Sequence, residues 1–236
     1  VGAFKIGPRL CMRYGAHLVE ELAKAAPVFV DNKYLDIPST MGAAIRATFE
    51  SGATLATVHA WSGPEALALL AQTEVELNKI RPFKILAVTV LTSFDDQTLL
   101  VELKTNRSAG RQAKQPPHGQ ATQPSAVQAD PGSAPQTIAS QVLALAKVSL
   151  QAGLSGLVCS SQEVAHLRQL SAQAFLVVPG IRLPTDAAGD QKRIKTPGEA
   201  RRLGASALVI GRPLYAAADP VAALEKIFAN LAAAGT

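Results

Sequence analysis

Short runs of β-branched and apolar residues alternate with longer amphipathic stretches along nearly the whole chain, and this alternation limits the fold more than any other feature. The short runs predict strands at Phe4–Gly7, Val28–Lys33, Thr54–His59, Lys84–Val90, Gly156–Ser160, Phe175–Pro179 and Ala207–Gly211. The stretches between and after them predict helices at Leu10–Ala25, Ser39–Ser51, Pro64–Ile80, Thr137–Ala152, Ser161–Leu170, Pro197–Leu203 and Pro220–Ala233. Ser39 and Thr196 stand as candidate N-caps, Pro197 at a first helical position and Gly204 as a stop. Repeated βα units predict a parallel sheet covered by helices. Seven strands can be counted where a closed (β/α)8 barrel has eight. Residue 1 is valine and the first strand begins about three residues later. The expectation is therefore an α/β fold, a (β/α)8 TIM-type barrel over 1–236, with its first βα unit absent from this chain.

Composition agrees with one large core. At 236 residues and 48% hydrophobic the chain is neither disordered nor in need of disulfide staples. Cys11 and Cys159 make no metal or disulfide pattern. There is no run of about 18 apolar residues, and the opening VGAFKIG lacks a basic segment followed by an apolar one, so neither a spanning helix nor a signal peptide is expected. The default is a soluble protein of a reducing compartment, the cytoplasm.

The rhythm breaks between Lys104 and Gln136, where five prolines occur without apolar periodicity, the pattern of a flexible insertion. Lys104, Arg107, Arg111 and Lys114 against Asp130 concentrate three of the five net positive charges there. The segment has no aromatic residue on which a base could stack, which favours a solvated loop over a nucleic-acid arm. The remainder is mildly basic, suited to small anions.

Polar residues cluster where strands give way to loops, the end at which a barrel builds its site. The densest cluster is Asp31-Asn32-Lys33-Tyr34-Leu35-Asp36-Ile37-Pro38-Ser39-Thr40. Alternation along a strand puts Asp31 and Lys33 on one face and Asn32 on the other. An acid and an ammonium so placed hold each other charged; a pair of this kind also serves as a loop anchor, and the two readings stand level on these residues alone. A second cluster is Pro179-Gly180-Ile181-Arg182 followed by Gly189-Asp190-Gln191, and a third is Val209-Ile210-Gly211-Arg212-Pro213. A glycine turn with a guanidinium at the last strand suits a phosphate, and barrels often use that position for one. The same glycine could serve only a tight turn, and the arginine only an acid. His17, His59, His118 and His166 show no metal-ligand spacing, and no nucleotide-binding glycine motif occurs. His59 ends a predicted strand, where a place near the site and a structural role are both open. Cys159 reads as a buried inert thiol, and Ser160 and Ser161 have no His and Asp arrangement to activate them.

Taken together, Phe4-Lys5-Ile6-Gly7, Asp31-x-Lys33-x-x-Asp36-Ile37-Pro38-x-Thr40, Ala87-Val88-Thr89-Val90-Leu91-Thr92-Ser93, Val158-Cys159-Ser160, Pro179-Gly180-Ile181-Arg182, Asp190-Gln191-x-Arg193-Ile194-x-Thr196-Pro197 and Val209-Ile210-Gly211-Arg212-Pro213 resemble the orotidine 5′-phosphate decarboxylase family. The match runs in order along nearly the whole chain except the insertion. The resemblance implies loss of CO2 from orotidine 5′-monophosphate to give uridine 5′-monophosphate in pyrimidine biosynthesis, without metal or organic cofactor. It implies that Lys33 protonates C6 of the pyrimidine, that Asp31 faces the leaving carboxylate, and that Lys5 and Asp36 complete the charged array. It places Thr92 and Ser93 at the pyrimidine and Arg182, Gln191, Gly211 and Arg212 at the phosphate. Asp36 and Thr40 would cross a homodimer interface into the neighbouring site, and Pro179 to Ile194 would be a lid. Neither nucleic acid nor membrane is implied as a partner. A related phosphosugar decarboxylase or aldolase shares the Asp-x-Lys-x-x-Asp spacing. A catalytically impaired nucleotide-binding protein is the other alternative, raised by the missing aspartate of the first strand.

Overall fold

The structure, a computed structural model, describes residues 2–99, 137–183 and 195–235. Seven strands form one sheet: β1 (Phe4–Ile6), β2 (Val28–Tyr34), β3 (Leu55–His59), β4 (Lys84–Val88), β5 (Gly156–Val158), β6 (Phe175–Val178) and β7 (Ala207–Leu208). All neighbouring pairs are parallel and the spatial order is the sequence order. A doubly wound sheet would reverse its order at a switch point; sequential order with a helix after each strand is barrel topology. Among the described residues β1 pairs only with β2, and β7 only with β6.

The helices are α1 (Pro8–Ala23), α2 (Pro38–Glu50), α3 (Gly63–Asn78), α4 (Ile138–Gln151), α5 (Val164–Leu170), α6 (Pro197–Arg202), α7 (Arg212–Tyr215) and α8 (Pro220–Ala232). Every helix expected from the sequence is present, with two local differences. Ser39 is not an N-cap. The α2 helix starts earlier, with Ile37 at the cap and Pro38 in its first turn, where the fixed φ of proline suits entry. Helix α1 is also kinked at Gly15, whose φ of 64° and ψ of −158° leave the helical region. Thr196 does cap α6: its hydroxyl accepts from Glu199 N–H, and Glu199 accepts in return from Thr196 N–H at 2.8 Å. The helix ends at Gly204, whose φ of 102° supplies the left-handed stop.

The sheet has two unlike faces. Val28, Val30, Ala56, Val58, Ile85, Ala87, Leu157, Leu176 and Val178 pack with the helices in the main core. The intervening positions Phe29, Leu86 and Val177 form a second, small cluster with Leu55, Val158, Phe175 and Ala207 of the sheet and Val209 just beyond β7. Period-two alternation thus sends every second strand residue to the inner, helix-free face. Following that face towards the C-terminal strand ends, Phe29 leads to Asp31 and Leu55 leads to Thr57 and His59. The predicted insertion, 104–136, lies outside the described residues.

Candidate active site

At the inner face Asp31 meets two lysines. Its Oδ2 accepts from Lys5 Nζ at 3.0 Å and its Oδ1 from Lys33 Nζ at 2.9 Å. Lys5 reaches it because β1 and β2 pair with Lys5 opposite Phe29, two residues before Asp31 on the same face. A third donor, the Thr57 hydroxyl from β3, reaches Oδ1 at 3.0 Å. Asn32 points to the other side, donating to Tyr34 Oη at 3.0 Å, as alternation requires.

The side chain of Asp31 is 14% exposed. Burial alone pushes its carboxyl up, but the charge of Lys5, the hydrogen bond and charge of Lys33 and the hydrogen bond from Lys5 together outweigh burial and hold it below the usual carboxylate value. Asp31 is therefore an anion locked between two cations. Burial, and then the charge of Lys33, push the His59 imidazole down, so it is neutral near pH 7. Its Nδ1 is buried without a hydrogen-bond partner among the described residues.

Lys33 is unusual in its backbone. Its φ is 50°, the only positive value at a non-glycine residue among those described, a conformation costing on the order of 1–3 kcal/mol. The β2–β3 register explains how it arises. Val30 pairs with Ala56 but Tyr34 pairs with Val58, so four residues of β2 advance the ladder by only two of β3. The irregularity re-aims the strand end, as bulges beside active sites do, and the Lys33 N–H leaves the ladder to donate to Thr57 Oγ1 at 2.9 Å. Thr57 had no part in the sequence reading. Its signal was the polar residue within Leu55-Ala56-Thr57-Val58-His59, on the same face as Leu55.

The other expected residues fall around the same sheet end in separate groups. Asp36 and Thr40 are exposed, on the loop after β2 and in the first turn of α2, and Asp36 Oδ1 accepts from Ile37 N–H at 2.7 Å. Among the described residues no hydrogen bond or ion pair joins Asp36 to Lys33. Thr92 and Ser93 occupy the turn after β4, the first half-buried and the second exposed. Arg182 is buried, donating to Ile181 O at 2.7 Å. It lies two residues after Gly180 (φ 76°), and its backbone N–H donates to Lys195 O at 3.1 Å. Gly211 is the N-cap of α7 and Arg212 begins it, exposed. Ile181, Arg182, Leu183, Pro197, Ile210, Pro213 and Ile227 border one shallow depression that is apolar apart from Arg182. Gln191 and most of the expected lid lie outside the described residues. No group of three or more metal-ligating side chains occurs among the described residues.

Residues 1–227 match the orotidine 5′-phosphate decarboxylase / HUMPS family. The chain belongs to this family. Similar relatives include the orotidine 5′-phosphate decarboxylase of Rhodopseudomonas palustris, 41% identical over 99% of this chain and 85% of that protein. That of Nostoc sp. is 37% identical over 97% of this chain and 86% of the relative. Among solved structures, orotidine 5′-phosphate decarboxylase from Lactobacillus acidophilus superposes with a TM-score of 0.72 at 29% identity, covering 96% of this chain and 85% of that one. Membership agrees with the barrel topology and with the sequence resemblance. No helix among the described residues is long and apolar enough to cross a membrane.

Proposed function

We infer that this chain is an orotidine 5′-phosphate decarboxylase, converting orotidine 5′-monophosphate to uridine 5′-monophosphate and CO2 in pyrimidine biosynthesis. The observation that carries the reading is the Lys5–Asp31–Lys33 array on the inner face of a barrel-type sheet in a member of this family. In the reaction the bond from C6 to the carboxylate carbon breaks and its electron pair stays on C6. The Lys33 ammonium gives that carbon a proton and is afterwards reprotonated from water. An ammonium held in place both stabilises the developing carbanion and quenches it. Asp31 faces the departing carboxylate and, held in turn by Lys5, fixes the Lys33 ammonium in place.

The further assignments belong to the same reading. Thr92 and Ser93 contact the pyrimidine, and Arg182, Gln191, Gly211 and Arg212 hold the phosphate. In support, Gly211 and Arg212 closely follow the last strand, a position at which barrels often bind phosphate. Phosphate binding then contributes energy to positioning the distant base. Asp36 and Thr40 act in the neighbouring site of a homodimer. In support, Leu35 and Ile37, which flank Asp36, are 58% and 63% exposed apolar side chains that a second subunit would cover. One domain over 1–236 and a place in the cytoplasm complete the reading.

The test is to follow the absorbance change when orotidine 5′-monophosphate is added to the purified protein, with a keto-sugar phosphate in parallel. Turnover of the nucleotide is expected. Turnover of the sugar phosphate alone would replace this function with the related phosphosugar chemistry, and tight uridylate binding without turnover would make the protein a binding module.

A further inference from the structure

Thr57 is fully buried on the inner face of β3, and its one hydroxyl stands between the two halves of the charged array. It accepts from the Lys33 backbone N–H at 2.9 Å and donates to Asp31 Oδ1 at 3.0 Å. A hydroxyl has a single proton. With that proton on the carboxylate, a lone pair is left for the amide, so the two bonds support each other's direction. Lys33 needs such support. Its backbone is left-handed, and the irregular ladder between Val30 and Tyr34 takes its N–H out of the sheet. A strained residue keeps one conformation only where its surroundings over-determine it, and Thr57 supplies an acceptor at the strained peptide.

We propose that Thr57 is a positioning residue for decarboxylation: by holding the Lys33 backbone and the Asp31 carboxylate with one hydroxyl, it fixes the Lys33 ammonium before substrate binds. The inference rests on the proposed role of Lys33 as proton donor. Thr57 acts through Lys33 and Asp31, which take up its lone pair and its proton. A merely structural threonine would affect stability and leave the chemical step alone, whereas misplacement of a reacting group by about 1 Å can cost on the order of a hundredfold in rate.

The experiment compares the wild type with Thr57→Val, similar in shape but without the hydroxyl, and Thr57→Ser, which keeps it. Measured for each are kcat and KM for orotidine 5′-monophosphate, Kd for uridine 5′-monophosphate, and amide exchange at Lys33. Thr57→Val should lower kcat at least tenfold while Kd for uridylate stays within about threefold. Thr57→Ser should keep kcat within about threefold of wild type. The Lys33 amide should be protected in the wild type and the serine protein and exchange faster with valine. A valine protein with wild-type kcat overturns the proposal, as does a serine protein as impaired as the valine one, or loss of uridylate affinity in step with kcat. Should the valine protein fail to fold, the wild type decides: a Lys33 amide exchanging like an open loop overturns the proposal. Wild-type protein that does not turn over the nucleotide would instead reject the decarboxylase function, an outcome distinct from any of these.

Discussion

Replacing Asp31 by asparagine removes the central charge of the array with little change of shape, and its consequences can be worked from the contacts. The carboxylate accepts two ammonium hydrogen bonds and one hydroxyl hydrogen bond. Bonds to charged groups contribute roughly 1.5–3 kcal/mol each. The Lys5 and Lys33 side chains are 34% and 36% exposed and recover much of this from water, while the amide oxygen still accepts one bond. A loss of about 1–3 kcal/mol at neutral pH is the expected result. The sign with pH follows from the depressed carboxyl of Asp31. Its contribution is complete above the unfolded value of about 3.9 and disappears as pH falls through the lower folded value. The stability gap between wild type and Asp31→Asn should therefore close in acid.

The same substitution should lower kcat by about a hundredfold or more, the scale on which a preorganised charged group acts. It should also remove repulsion against the substrate carboxylate, which uridylate lacks. Binding of orotidylate relative to uridylate should tighten by about tenfold, equivalent to roughly 1.4 kcal/mol. Urea unfolding at neutral pH and near pH 3.5 measures the first effect, steady-state turnover the second, and single-turnover kinetics for orotidylate with competitive inhibition by uridylate the third. An equal stability loss at both pH values, a kcat above a tenth of wild type, or weaker relative binding of orotidylate would refute the assigned position of Asp31.

Lys33→Ala should fold and nearly abolish decarboxylation, since proton donor and stabilising charge disappear together; steady-state turnover above a tenth of wild type rejects Lys33 as donor. Arg212→Ala should weaken ligands bearing the phosphate by roughly 1.5–3 kcal/mol; an equal loss for the phosphate-free nucleoside would make Arg212 structural. If Asp36 acts in the neighbouring site, mixing Lys33→Ala with Asp36→Ala should restore activity, because each mixed dimer has one intact site; none after verified subunit exchange places Asp36 in its own subunit. Arg168 donates to Gly204 O, Ala172 O, Ala174 O and Ser206 Oγ at 2.6–2.8 Å, all at the N-terminal side of β6 and β7; its alanine variant should lose about 2–4 kcal/mol in chemical denaturation with kcat unchanged.

The strands were legible because each is a short run bounded by polar or turn residues, and hydrophobic alternation carries that information locally. Val28-Phe29-Val30 sends its valines to the helices and its phenylalanine inward, as period two requires. Asp31 and Lys33 were legible for the same reason, although the route by which they meet was not. Strict alternation would put Lys33 in an ordinary extended conformation, whereas the ladder slips and its φ is positive. A slip depends on pairing with a strand more than twenty residues away, so no local pattern announces it. Thr57 escaped notice because threonine is an ordinary strand residue; only the register against β2 shows what its hydroxyl faces. Ser39 misled for the opposite reason. Capping preference is local and real, but the Ile37-Pro38 pair lets the helix begin before the serine.

On the proposed mechanism the charge balance shows why position matters more than amount. Lys5 and Lys33 against Asp31 and Asp36 of the partner subunit leave no net charge, and the substrate carboxylate adds one negative charge. Cleavage neither creates nor destroys charge: one negative charge moves from the carboxylate, beside Asp31, to C6, beside Lys33. A mobile lysine could follow either anion and would favour neither. A lysine fixed near C6, with an aspartate fixed near the carboxylate, favours the charge after it has moved, which is the differential interaction that lowers a barrier. The slipped strand end, the left-handed backbone and the Thr57 bridge all restrict where the Lys33 ammonium lies. The fold can carry this strain because its other anchors are at the opposite sheet end. There Arg81 stacks on Phe49 and donates to the Ala53 and Phe49 carbonyls, Lys84 reaches Ser155, and Arg168 ties β6 to β7. These anchors add stability away from the chemistry, while the C-terminal ends of the strands hold the charges that the substrate carboxylate meets.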